Sequence, residues 1–313
     1  MSLNIVDALV KFSNKTTPVG LIPSRRQVDF NGGYVNDWTT AEFAAYVKEK
    51  NNTISLQRDH GGAAQGYVWD NGYESFAHDS EHFHLIHIDP WKEMPTYTDG
   101  LAKTIKYMKF IYHKNPNIRF EIGTEEAIRK FEVDELEEFV TDIKALLPAP
   151  VYAQLEYVVV QSGVGLDLGK MTNTGTYCAD RLAKMVNICK NNNLKSKEHN
   201  GDYLSIDEIK SRFSVGLDAI NIAPEFGQIE TLCYLEEIND EKTFQTIFDI
   251  CYNSDRWKKW VDDSFNPKAN QKELIKICCH YIFSNPWFQA VKPNIDEKIK
   301  KTITRRMEEL HGI

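Results

Sequence analysis

Short apolar runs alternate along the chain with longer segments whose apolar residues recur every three or four positions. The apolar runs predict seven strands, at residues 19–22, 53–57, 84–88, 118–122, 155–161, 194–197 and 219–223. The longer segments predict helices at residues 39–50, 99–114, 133–147, 178–190 and 205–213. Continuously apolar strands are covered on both faces, and their alternation with helices favours a parallel sheet with right-handed crossovers. Both a (β/α)8 barrel and a doubly wound open sheet fit this pattern.

From residue 236 onward the pattern changes to helices only. The last helix is predicted to begin with a capping box formed by Asn294 and Glu297. Its apolar stripe comprises Ile295, Ile299, Ile303, Met307 and Leu310. We therefore expect one structural domain, in which a barrel at 1–235 carries the functional site and a helical extension at 236–313 packs on it.

The composition of the chain mainly excludes certain classes of protein and of partner. The chain has 313 residues, of which 42% are hydrophobic, enough to bury a large core and to exclude disorder. The formal net charge of -8 argues against nucleic acid and anionic membranes as partners. The chain shows neither an apolar run of membrane-spanning length nor a signal-peptide pattern, so we expect a soluble cytoplasmic protein. The six cysteines have no CxxC spacing, which favours free thiols.

Functional side chains cluster where the predicted strands end. The segments concerned contain Asp59 and His60, Asp89, Glu121 to Glu126, Gln161 to Asp167, Glu198 to Tyr203, and Asn221 to Gly227. In a parallel barrel all strand ends of one polarity lie on one rim, so these side chains would surround one pocket. This arrangement is typical of an enzyme.

The pair Asp59 and His60 places a carboxylate beside an imidazole, so that one can bind a metal while the other moves a proton. Alone, such a pair is more typical of a surface turn. His199 at another strand end changes the interpretation, because two imidazoles and an acid such as Glu121 or Asp89 make a three-ligand divalent site with an open position.

Other polar groups carry weaker signals. Four histidines fall within ten residues, at His78, His82, His84 and His87. The last two lie in or before a strand, away from the expected rim, so core packing and surface exposure explain this group best. The turn with Ser162 and Gly163 either approaches a phosphate through its N–H groups or is simply tight, and Arg25 and Arg26 either pair with an anion or lie in a solvated loop.

Several ordered segments resemble one family, the class II tagatose-bisphosphate aldolase accessory subunits, which are related to metal-dependent ketose-bisphosphate aldolases and sugar-phosphate 4-epimerases. The matching segments are SRRQVDFNGGY (24–34), RDHGG (58–62), HLIHIDP (84–90), EIGTE (121–125), VVVQSGVGLD (158–167), EHNGDY (198–203), NIAPEFG (221–227) and HYIFSNPW (280–287). They occur in the family's order and cover most of the chain.

The resemblance implies a TIM (β/α)8-type barrel. It implies that Asp59 is the proton-transferring acid, that His60 and His199 are metal ligands, that the acids of EIGTE lie near the metal, and that Asn221 faces the substrate. This chain departs from the family in two motifs, because EAIRK follows GTE instead of Pro-Gly-Gly and QSGV replaces QPGV. The first matching motif lies close to the start of the sequence, so we expect the first β/α unit to be missing or altered.

These signals together predict a carbon–carbon lyase or epimerase that uses a divalent metal, with Zn2+ favoured, on a phosphorylated ketose. The predicted catalytic residues are Asp59 and Glu125, and the predicted metal ligands are His60, His199 and Glu121. The predicted substrate-binding residues are Arg26, Gln27, Asp89, Gln161, Ser162, Gly163, Asp202 and Asn221. The alternatives are a non-catalytic subunit that stabilises a partner class II aldolase and a barrel sugar isomerase, and the protein either forms a homo-oligomer or joins an aldolase subunit.

Overall fold

A computed structural model describes residues 1–13 and 18–312. Its strands are β1 Gly20–Leu21, β2 Ser55–Gly61, β3 Leu85–Ile88, β4 Arg119–Ile122, β5 Leu155–Val160, β6 Val164–Asp167, β7 Thr172–Gly175, β8 Lys195–Glu198 and β9 Ala219–Ile220. Seven of them form one sheet in the order β1-β2-β3-β4-β5-β8-β9, and every neighbouring pair is parallel. The remaining two, β6 and β7, form a separate antiparallel hairpin.

The helices flank the sheet and fill the C-terminal part of the chain. They are α1 Leu3–Phe12, α2 Thr40–Lys50, α3 Tyr73–His82, α4 Tyr97–Lys114, α5 Val133–Leu146, α6 Ala149–Tyr152, α7 Ala179–Asn191, α8 Ile206–Ser214, α9 Pro224–Glu237, α10 Glu241–Asn253, α11 Gln271–Cys278, α12 Pro286–Val291 and α13 Asp296–His311. Two short 3-10 helices lie at Lys258–Trp260 and Cys279–Tyr281. Within residues 1–13 and 18–312, none of the helices combines the length and apolar character needed to cross a bilayer.

The sheet is curled, as contacts between distant strands show. Lys197 on β8 donates to the side chain of Gln57 on β2 at 2.7 Å, and both side chains bond Glu121 on β4. In a flat sheet, four strand spacings would separate β2 from β8 by about 19 Å. Side chains from alternate strands that meet in one layer are typical of a barrel interior.

The closed TIM barrel expected from the resemblance is a half-barrel here. The parallel sheet has seven strands in sequential order, and the described residues contain no eighth strand between β1 and β9. The sequential order also rules out the doubly wound sheet, whose strand order reverses at a switch point. The half-barrel still brings the carboxyl ends of its strands to one rim.

The helical extension shares a hydrophobic core with the N-terminal part of the chain. Buried residues of α1, β1 and α2 lie in the same cluster as those of α9 to α13. In α13, Ile299, Ile303 and Met307 are buried as the predicted stripe requires. The capping box predicted at Asn294 is wrong, because α13 begins at Asp296 with Ile295 at the cap position and Glu297 pairs instead with Lys300.

Candidate active site

The carboxyl ends of the strands carry the predicted functional groups to one rim. Asp59 and His60 lie at the end of β2, and His199 directly follows β8. Ser24, just after β1, forms a parallel bridge with Asp59, whose N–H donates to Pro23 O at 3.1 Å. Because neighbouring strands run in the same direction, residues that lie far apart in the chain meet here.

Three imidazoles and one carboxylate converge at this rim. Metal-binding atoms of Asp59, His60, His87 and His199 all lie within 4.8 Å of one another. The ring centroids of His60 and His199 are 5.2 Å apart, and His87 lies 5.0 Å and 4.9 Å from them. The sequence therefore predicted three members of this cluster and missed His87.

His60 is held by a buried carboxylate and a constrained backbone. Its Nδ1 lies 2.6 Å from Oδ2 of Asp89, which also accepts the hydroxyl of Thr124 at 2.9 Å. The backbone φ of His60 is 45°, a left-handed conformation that is costly for a non-glycine residue and common at functional sites. The remaining ring nitrogen, Nε2, lies 3.8 Å from Asp59 Oδ1 and 3.9 Å from Glu125 Oε2.

His199 is held in the same way by Glu121. Its Nε2 lies 2.8 Å from Glu121 Oε1, while the other Glu121 oxygen accepts Gln57 Nε2 at 2.7 Å and Lys197 Nζ. Burial opposes ionisation of Glu121, but Lys197, His87 and His199 outweigh it and lower the pKa of the carboxyl well below its usual value. Both oxygens are engaged, so Glu121 lies behind His199 and outside the four-residue cluster.

His87 corrects the expectation that the histidines of β3 lie away from the rim. Its Nε2 lies 3.1 Å from Gly123 O, and its Nδ1 receives a 3.2 Å contact from the His60 N–H. Side chains alternate between the two faces of a strand. His87 lies on the same face of its strand as Asp89 and pairs in register with Glu121. The alternation of faces along the strand was therefore the signal that could have identified it.

Asp59 supplies the negative charge at the centre of the cluster. Burial raises the pKa of its carboxyl, but His60, His87 and His199 outweigh burial and lower the pKa on balance. Its Oδ1 is buried and has no hydrogen-bond partner among the described residues. An ionised oxygen without a donor, surrounded by imidazole nitrogens, is a suitable neighbour for a cation.

Three of the predicted substrate-binding side chains are engaged with backbone groups. Gln161 donates to the carbonyls of Thr124 and Arg129 at 2.9 Å and 2.8 Å. Asp202 accepts the N–H groups of residues 223 and 225 at 2.9 Å and 2.8 Å at the start of α9, and Gln27 accepts the N–H of residue 24 at 2.8 Å. These side chains support the loops of the rim.

Three other residues predicted to bind the substrate, Ser162, Gly163 and Asn221, differ in what their polar groups contact. Ser162 and Glu125 line a small cavity together with His199. Ser162 Oγ and Asn221 Nδ2 are buried without a hydrogen-bond partner in the described part of the chain. Gly163 has φ 95° and accepts the N–H of residue 176 at 3.1 Å, which makes it the tight turn into the β6–β7 hairpin.

Comparison with known proteins reveals likeness in the fold. No family model and no curated protein matches the chain. A probable tagatose 6 phosphate kinase from Sinorhizobium meliloti 1021 is similar with a TM-score of 0.74 at 17% identity, over 99% of this chain and 85% of that one. Fructose-bisphosphate aldolase from Campylobacter jejuni is similar with a TM-score of 0.57 at 15% identity, over 100% and 88%.

An epimerase has the same kind of likeness. The fructuronate-tagaturonate epimerase UxaE from Cohnella laeviribosi is similar with a TM-score of 0.54 at 9% identity, over 95% of this chain and 79% of that one. At these identities the likeness establishes the fold. Membership of the aldolase accessory-subunit family stays a proposal, because only the ordered motifs of the sequence support it.

Proposed function

We propose that the protein is a divalent-metal-dependent enzyme of the aldolase type that cleaves or 4-epimerises a phosphorylated ketose. The observation that carries the proposal is the anchoring of three imidazoles. His60, His87 and His199 each direct one ring nitrogen to an oxygen acceptor, and their other nitrogens lie close together beside Asp59. In His87 that other nitrogen, Nδ1, also accepts the backbone N–H of His60 at 3.2 Å. Ligand histidines in metal sites are held in this way.

The donor set fits a divalent cation. His60, His87 and His199 would hold the ion, with His87 giving up the contact that its Nδ1 accepts from the His60 N–H. Three imidazoles that bind in their neutral form, with an open fourth position, suit Zn2+. Asp89, Gly123 O and Glu121 would hold the three rings through the contacts already formed. When bound, the cation would supply electrophilic polarisation of the ketose carbonyl and of the adjacent oxygen.

The chain's own residues supply the proton chemistry. Asp59 Oδ1 is buried beside the cluster and has no hydrogen-bond partner in the described part of the chain, so it is placed to accept a proton from the ketose hydroxyl and to return it. Glu125 Oε2 lies 3.9 Å from His60 Nε2, where its half-buried carboxylate can hold a second hydroxyl. A fragment that is held and turned before readdition would be epimerised by the same groups.

The direct test is a screen of ketose mono- and bisphosphates with purified, metal-loaded protein and a trap for released aldehyde. A trapped triose identifies an aldolase, and an inverted C4 without release identifies an epimerase. An aldose product without cleavage would identify a sugar isomerase and overturn the proposal. A protein that is inert on every substrate but prolongs the half-life of a class II aldolase would instead be the non-catalytic subunit.

Replacing Asp59 by asparagine is expected to lower kcat by about 10²- to 10⁴-fold, the usual contribution of a positioned proton-transfer group. Asparagine preserves the size of the side chain and removes the proton acceptor. Bound metal, measured by elemental analysis, should stay at the wild-type level because the three imidazoles are intact. Loss of metal in Asp59→Asn would show that Asp59 is a ligand, and unchanged kcat would exclude it from the proton transfer.

A further inference from the structure

Four cationic side chains gather beside the candidate site. Arg26 lies two residues after Ser24, the bridge partner of Asp59, and therefore at the same rim. Arg256 and Lys259 come from the segment that follows α10 in the helical extension, and Lys92 follows β3. The extension thus reaches the rim that the barrel strands form.

Contacts with one loop and with aromatic rings orient these cations. Arg26 Nε donates to Gly66 O at 3.3 Å, and the guanidinium of Arg256 lies 4.5 Å from the centre of the adjacent Tyr67 ring. Lys259 Nζ lies 4.4 Å and 5.5 Å from the ring centres of Trp260 and Tyr281. Aromatic faces hold cations without neutralising them, so these contacts leave the positive charges available.

The positive charge of the group has no acidic partner. In residues 1–13 and 18–312, the salt bridges of the structure include none of Arg26, Lys92, Arg256 and Lys259. Desolvation and then the charges of Arg26, Arg256 and Lys92 lower the pKa of Lys259 to about 8, and the negative charge of Glu125 opposes the shift. Lys259 is exposed to solvent, so a ligand can reach its ammonium group.

Repulsion within such a group disfavours the folded state unless a ligand compensates it. Asp255, the acidic residue next to Arg256 in the sequence, pairs with Lys258 instead. Glu125, whose negative charge acts on Lys259, lies 3.9 Å from His60 Nε2. Lys259 and His60 therefore share Glu125 as a neighbour, which places the cations beside the site.

We infer that Arg26, Arg256 and Lys259 bind the phosphate group of the sugar substrate, with Lys92 adding to the local potential. This inference rests on the proposed function and assigns the phosphate of its substrate to side chains from the segment after β1 and from the helical extension. Arginine forks bind phosphate oxygens in pairs, and a lysine adds a point charge. Three or more cations match a dianionic phosphate, whereas a carboxylate would be neutralised by one.

The test compares neighbouring lysines of one 3-10 helix in the full chain. Lys259→Gln and Arg256→Gln are expected to weaken the binding of inorganic phosphate, followed by calorimetric titration, by about 10- to 100-fold each. The matched control is Lys258→Gln, because Lys258 has 59% of its side chain exposed and pairs with Asp255 at 2.9 Å. The control should bind phosphate as the wild type does.

A second titration with gluconate separates phosphate from a sugar acid. Weakened gluconate binding with unchanged phosphate binding would overturn the inference in favour of a carboxylate, as would a wild-type protein that binds no phosphate. Phosphate binding is measured without turnover, so a failure of this inference can be told apart from a failure of the aldolase proposal. In an active enzyme, both variants should raise KM for the phosphorylated ketose while kcat stays near the wild-type value.

Discussion

Replacing His60 by alanine is expected to remove the bound divalent cation and abolish turnover together. His60 is the imidazole of the cluster whose Nε2 faces Asp59 and Glu125, and its ring is fixed by Asp89. Loss of a ligand should weaken metal binding more than loss of the group behind it, which costs about 10- to 100-fold. Metal content after dialysis against a weak chelator and turnover in the same samples measure both effects.

Two matched variants make this prediction specific. Asp89→Asn keeps the imidazole and weakens only its support, so it should lose about 10- to 100-fold in metal affinity and retain some turnover. His113→Ala removes an exposed imidazole in the last turn of α4 and should behave as the wild type. A His60→Ala protein that unfolds at the wild-type temperature and keeps its metal would refute the metal centre.

The strand positions could be predicted because the sheet is covered on both faces. Each of the seven predicted apolar runs overlaps a strand of the parallel sheet, and the runs 84–88 and 118–122 contain β3 and β4 completely. Burial on both faces leaves a continuous apolar run, which does not depend on distant contacts. Whether the sheet closes into a barrel does depend on distant contacts. The half-barrel could therefore not be predicted from the spacing of apolar residues along the chain.

Some helices and strands were not predicted because they lack the apolar spacing on which the prediction relied. The helix α3 lacks the long apolar pattern of the others, since it contains His78, Asp79 and His82. Its buried face is partly polar because Asp79 pairs there with Arg58 of β2. The hairpin of β6 and β7 is only half-buried, and its strands therefore have no apolar run.

Site residues at strand ends could be predicted from the sequence. Residues whose place depends on which face of a strand they occupy, or on the packing of the C-terminal extension, could not. Asp59 and His60 lie at the end of β2 and His199 directly follows β8, so the parallel arrangement alone brings them together. His87 lies inside β3 and reaches the cluster because the barrel interior is its side of the strand. Lys259 reaches the rim only through the packing of the extension, which no local pattern encodes.

The largest loss of stability is expected from replacing Arg58 by alanine, at about 3–5 kcal/mol of unfolding free energy. Arg58 is fully buried on β2 and binds both oxygens of Asp79 on α3 through Nε and Nη2, at 2.8 Å and 2.6 Å. Its Nη1 donates to the carbonyls of Pro23 and Val28 at 2.9 Å and 2.7 Å, which holds the segment after β1 against β2. Without the guanidinium, Asp79 would keep a buried charge with no counterion.

Two measurements distinguish the loss of the counterion of Asp79 from a simple loss of packing. They are the pH dependence of the stability deficit and its recovery when Asp79 is replaced as well. Burial already raises the pKa of Asp79 despite Arg58, so in Arg58→Ala the carboxyl takes up a proton more readily, and the deficit in urea denaturation should shrink from pH 8 to pH 5. Arg58→Met combined with Asp79→Leu should recover most of the loss, because it removes both charges. The control Arg119→Ala, which removes an exposed partner 3.9 Å from Glu156 on the same sheet, should cost about 0–1 kcal/mol. An equal deficit at both pH values would assign the loss to packing and to the carbonyl contacts instead.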